Sequence, residues 1–130
     1  MSSPSNIAFF SSSAYSFLTD KQFDLLRANG LMMRLLEERG EHFDPMPIVK
    51  LVVPGTGAAW LLSSIDPRTP GIAFGLADLG FPEMGYIDLD ELQALCAGGE
   101  LPVQPDPGFR PVKPLSAYAR DARRAGHILT

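Results

Sequence analysis

The sequence predicts an α+β fold in which helices come first, a small antiparallel sheet of three to four strands follows, and helices return at the end. Three observations carry this reading. A capping box opens an amphipathic run at Thr19, four β-rich runs separated by turn pairs occupy residues 48–87, and helical periodicity returns after Asp88 and after Leu115. At 130 residues, with 45% hydrophobic and 20% charged residues, the chain has the size and composition of one globular domain that needs no disulfide or metal to hold a core.

The elements follow in order. Residues 1–17 read as a Ser-rich N-terminal extension, mobile unless Phe9, Phe10 and Phe17 dock, ahead of a single domain over 18–130. Thr19 stands as N-cap with Gln22 three residues on, and Leu18 and Phe23 are spaced for a hydrophobic staple. A helix over 20–28 is expected to stop at Asn29-Gly30, where a left-handed residue costs little. A second helix over 31–39 repeats apolar residues at Met32, Leu35 and Leu36 and ends at Gly40, the two forming either a pair or one kinked unit. Met32 and Met33 could line an adaptable binding groove, but methionines at helical spacing are more often core filler, and the pair reads as such.

Strands are expected at about 48–53, 59–65 and 72–79, with a very short fourth at 84–87. "VVPGTGAAW" lacks the GxxxxGK[ST] pattern and sits between two strands, so it reads as a hairpin turn and not a phosphate loop, and Trp60 reads as a core residue. Asp88 then caps a helix over 89–97, with Glu91 at its third position and Ile87 and Leu92 as staple, ending at Gly98-Gly99. Carboxylates favour such a start, where amide donors are unpaired, so Asp88, Asp90 and Glu91 have a sufficient structural reason. Residues 101–114 carry five prolines and read as an extended strap with Phe109 as anchor. A last helix over 115–125 groups Leu115, Tyr118, Ala119 and Ala122 on one side, and Gly126 ends it.

The net charge of −4 hides a division along the chain. Asp and Glu against Lys and Arg number 6 against 5 in residues 1–65, 8 against 1 in 66–106, and 1 against 5 in 107–130, hence −1, −7 and +4. The simplest expectation is that the basic tail folds back and neutralises the acidic middle; otherwise each presents its own field to a partner. One cysteine, Cys96, excludes an internal disulfide and fits a reducing compartment, so cytoplasm is expected, with neither a secretory signal nor a membrane span in the first residues.

Three classes of function can be drawn from this chain. Asp78 ends the apolar row Ile72, Phe74, Leu76 on one strand face, and Glu83 lies at the following turn. Asp78 most simply accepts loop amides; Asp78, Glu83 and Tyr86 are also the candidates for partner binding, or for a small-ligand or hydrolytic site. Arg120, Arg123 and Arg124 on the last helix are the candidates for nucleic-acid contact, which the sequence pI near 5.0 disfavours. A nucleophile–base pair would have only His42 and His127 to draw on, neither in a nucleophile motif, and no spacing fixes a metal site from Asp78, Glu83 and His42. No cofactor or metal is expected.

The segments "PIVKL", "AAWLL", "AFGLADLG", "PEMGY" and "PLSAYA" resemble an uncharacterised family of small bacterial proteins common on plasmids, integrative elements and phages, over about Leu18 to Ile128. That family supplies no catalytic residues to carry over. The resemblance implies an accessory protein that binds a host or element-encoded protein, including a defence system that it inhibits. Joined to the charge division, it gives as leading expectation a non-enzymatic factor whose acidic surface inhibits a defence or nucleic-acid-handling protein, and the residues predict no membrane partner.

Overall fold

The computed structural model describes residues 15–97 and 102–130. Phe9, Phe10 and the Gly98-Gly99 stop lie outside the described residues. The elements are α1 (Asp20–Glu38), β1 (Val49–Val52), β2 (Ala59–Ile65), β3 (Ile72–Asp78), β4 (Pro82–Asp88), α2 (Leu89–Ala97), β5 (Gln104–Pro105) and α3 (Leu115–Ala125). The strands form one antiparallel sheet in the order β4-β3-β2-β1-β5. The fold is α+β, as the patterning predicts, with one strand more: β5, in the proline-rich strap, pairs with β1 at Leu51 and Val52.

Both sheet faces carry a core, and β2 at the centre is buried along its whole length. Trp60 and Leu62 point to the first face, where α1 contributes Phe23 and Leu26 and α2 contributes Leu89 and Leu92. Ala59 and Leu61 point to the second, beneath Leu115, Tyr118, Ala119 and Ala122 of α3. This is the alternation a pleated strand imposes when both sides are covered. The 2–3 ladder slips between Leu62 and Ser64, which keeps Ile65 on the first face.

Three local expectations are corrected. The two helices at 20–28 and 31–39 are one continuous helix. Gly30 does not end it: a β-carbon there would fall 1.8 Å from the Ile65 carbonyl oxygen, so the glycine lets the helix lie against the end of β2. Asn29 donates to the Ser63 carbonyl at 2.9 Å from the same turn. Because the helix runs straight through, Phe23, Leu26 and Gly30 face the sheet, and Met32, two residues past Gly30 and so turned by about half a circle, is exposed along with Leu25, Leu31 and Leu35. Met32 is therefore not core filler.

The fourth strand, expected only at 84–87, spans seven residues, because the 3–4 ladder closes as far as Asp78 with Pro82 across the loop 79–81. Ahead of residue 18, Phe17 docks, the condition under which part of the extension is expected to be held. Tyr15 and Phe17 are core residues, and Ser16 bonds Gln93 of α2 through its amide at 2.8 Å.

Caps account for most helix ends. Thr19 and Gln22 exchange the two bonds of a capping box at 3.1 and 3.0 Å, and Asp88 Oδ1 accepts the amides of Asp90 and Glu91 at 3.0 and 3.1 Å. Pro114 has no side chain to cap α3, and the Leu115 amide bonds the Pro45 carbonyl instead, while Asp44 accepts both the amide and the hydroxyl of Ser116. Gly126, at φ 82°, ends α3 in the left-handed conformation.

Candidate functional site

Asp78 is buried where β3 ends. Its Oδ1 accepts the Gly80 amide at 3.0 Å and its Oδ2 accepts the Ile128 amide at 3.0 Å. One carboxylate thus fixes the turn into β4 and latches the C-terminal segment, whose Ile128 fills the second core. This is the loop-amide role expected of it.

Alternation along β4 separates the other two candidates. Glu83 pairs with Ala77, which packs toward the first core, whereas Tyr86 pairs with Phe74, which packs against the second. Asp78 shares the face of Phe74 and Leu76, so Glu83 projects from the opposite face and the two carboxylates do not converge. Leu79 (71% exposed), Phe81 (72%) and Tyr86 (77%) stand in solvent on the hairpin of β3 and β4, with Met84 also exposed. Tyr86 is held edge-on to Phe74, ring centroids 5.5 Å apart.

β4 is also an outer strand of the sheet. The Leu89 amide bonds the Gly71 carbonyl at 2.9 Å, and the ladder alternates from there, so Glu83, Gly85 and Ile87 turn their backbone groups toward β3. Met84 and Tyr86 therefore turn their N–H and C=O groups outward. Pro82, in the same outward phase, has no N–H to offer. Among the described residues nothing pairs with this edge.

A groove of about 590 Å³ opens on the far side of Tyr86 and Met84, where the second half of α1 and the 42–45 segment meet the sheet and the start of α3. Met33, Phe43 and Phe74 line it beside Arg34, His42 and Arg68. Its size suits a small molecule. Asp78 and Glu83 are not part of it. His42, Asp44 and Ser116 all border the groove, but Asp44 is bonded to Ser116 and not to His42, which is the geometry of a helix cap and not of a nucleophile relay. Sequence reasoning named Tyr86 and Met33 in such roles but could not assemble the groove, because its walls come from segments tens of residues apart, with no local motif.

Arg120, Arg123 and Arg124 are all exposed and spaced i, i+3, i+4, a basic stripe on the outer side of α3. Arg123 and Arg124 sit in the last turn, where cations suit the helix dipole. Lys113 bonds Asp121 and lies 4.7 Å over the Tyr118 ring, and that hydrogen bond holds the Asp121 carboxyl below its usual range. Among the described residues no salt bridge joins the basic tail to the acidic middle. The expected neutralisation by the tail is not made through ion pairs.

On the first face, Tyr15 donates to Asp90 Oδ1 at 2.8 Å. Burial, then the Asp90 hydrogen bond and its charge, push the phenol's pKa up. Among the described residues no three His, Cys, Asp or Glu side chains are grouped to hold a metal, and no helix is long and apolar enough to cross a membrane.

Among the described residues the fold is thus a five-stranded antiparallel sheet with a helical layer on each face, a strand edge that nothing pairs with and a lateral groove. Residues 17–129 match the family described as "Protein of unknown function (DUF2958)", and the chain belongs to that family. No curated protein and no solved structure matches it.

Proposed function

We propose that the protein is a non-enzymatic accessory factor that acts by binding another protein through the β4 edge and the β3–β4 hairpin. The observation that supports this most is the exposure of four large apolar side chains, Leu79, Phe81, Met84 and Tyr86, on one hairpin whose outer strand edge pairs with nothing among the described residues. Exposed aromatic anchors of this kind dominate protein interfaces, and an open edge is ordinarily blunted unless it is used. Glu83 adds negative charge to the rim, within a segment that carries −7 over residues 66–106. A host or mobile-element protein with a basic surface is the partner this charge favours, and a nucleic-acid-handling defence protein that the factor inhibits is the specific form of the reading.

Affinity capture of the tagged wild-type protein and of Tyr86→Asp and Phe81→Asp from host cells tests this. One protein recovered near one-to-one by the wild type and lost with both variants is the expected result. A partner retained equally by all three would overturn the assignment of the surface, and recovery of nuclease-sensitive nucleic acid would transfer it to Arg120, Arg123 and Arg124.

The groove of about 590 Å³ supports a second reading, a small-ligand site that uses Tyr86 and leaves Asp78 and Glu83 aside. A ligand whose binding is lost in Met33→Trp, which fills the groove, and kept in Phe81→Asp would favour this reading over the first.

A further inference from the structure

We infer that the partner surface is completed by strand addition: an extended segment of another protein, apolar on one side and basic on the other, pairs with the outer edge of β4 and extends the sheet. This rests on the protein-binding reading above and names the form its partner takes.

For an incoming strand that pairs antiparallel to β4, the backbone gives the register. Met84 and Tyr86 turn their N–H and C=O groups away from β3, so an incoming strand forms its hydrogen bonds with these two residues. Pro82 offers only a carbonyl, which ends the pairing window on that side. Residues of the incoming strand that pair with Met84 and Tyr86 lie on the same face as those side chains, beside exposed apolar surface. These positions select Val, Ile or an aromatic residue.

The intervening residues fall on the opposite face, beside Glu83, Gly85 and Ile87. Glu83 is exposed there, and a β-carbon on Gly85 would meet nothing within 4 Å. A Lys or Arg stem can lie across Gly85 and bring its charge to Glu83. Alternating apolar and basic residues are therefore the sequence that this edge reads.

A second copy of the chain is the competing occupant of any open edge. Charge argues against it. Self-pairing would bring together two β4 strands from segments of net −7 each, whereas a basic strand meets the same field favourably.

The test uses capped seven-residue peptides and the full chain. Probes are a peptide alternating Val and Lys, the same peptide N-methylated at the Val amides, the same N-methylated at the Lys amides, and one alternating Val and Glu. The Val–Lys peptide is expected to bind saturably and to slow hydrogen exchange at the Met84 and Tyr86 amides. Methylation at Val, whose amides face β4, removes binding; methylation at Lys, whose amides face away, does not. Met84→Pro, which deletes an outward N–H without touching the ladder to β3, weakens binding by about tenfold or more at an unchanged thermal midpoint. Glu83→Lys shifts preference to the Val–Glu peptide.

Equal binding of the Val-methylated peptide, or full affinity in Met84→Pro, would overturn strand addition. So would a dimer of the unliganded chain that Met84→Pro dissociates. If no peptide binds while Tyr86→Asp still abolishes capture of a protein partner, strand addition fails and the parent reading stands; if Tyr86→Asp leaves capture intact, the parent reading fails with it.

Discussion

At the scale of single residues, three positions carry more of the structure than their chemistry suggests. Gly30 faces the Ile65 carbonyl so closely that Gly30→Ala must push the helix off the sheet, and a loss of about 2–3 kcal/mol is expected in urea unfolding despite alanine's better helix propensity. Asp78 satisfies the buried Ile128 amide, so Asp78→Ala leaves that donor without a partner and is expected to cost about 2–3 kcal/mol. Tyr15 gives a pH signature. Its phenol is held protonated in the fold, while in the unfolded chain it ionises near its ordinary pKa of 10.0. Above that pH the unfolded state binds fewer protons than the native state, so stability falls as pH rises from about 10 toward the raised native value. Tyr15→Phe is expected to remove this part of the alkaline loss, readable as a flatter thermal midpoint against pH in that range. The acidic character of Asp78 and its place at a strand end were legible in the sequence. Its bond to Ile128 was not, because the two residues are 50 positions apart.

At the scale of elements, local punctuation was read well where one segment contains both partners. The capping box at Thr19 and the cap at Asp88 each lie within four residues, and both form. Thr19→Ala is accordingly expected to cost about 1 kcal/mol. Helix α3 is the contrary case, since its first amides are satisfied by Asp44 and Pro45, more than 65 residues away. Asp44→Ala should therefore destabilise by a similar amount, about 1 kcal/mol, though no motif near Leu115 announces it. The misreading at Asn29-Gly30 has the same origin. Both residues suit a helix stop locally, but tertiary contact uses one for close approach and the other to bond Ser63. The exposed stripe of Leu25, Leu31, Met32 and Leu35 follows from that continuity.

At the scale of the molecule, the C-terminal segment closes the second core. Removing residues 127–130 exposes the pocket of Ile128, orphans one oxygen of Asp78 and breaks the Lys50–Thr130 bond, and a loss of about 3–5 kcal/mol is expected by denaturant unfolding. The charge division is a molecular property too. The tail's Lys113 is engaged by its own Asp121, and among the described residues no salt bridge runs from tail to middle, so the two segments keep separate fields, which the proposed protein partner would meet at the acidic one. Partner binding is expected to weaken with added salt, and to weaken less steeply in Glu83→Lys.

The sequence by itself determined the α+β class, the three central strands, the caps at Thr19 and Asp88, the core place of Trp60 and the apolar side of α3. These rest on periodicity and on hydrogen bonds between residues a few positions apart, which a linear reading contains. Only the tertiary structure decided that α1 is unbroken, that Asp78 and Glu83 face opposite ways, that β4 is an outer strand with Met84 and Tyr86 turned outward, and that a groove opens beside them. Strand order and the approach of distant segments depend on how two separate cores are filled at once, and no local pattern encodes that.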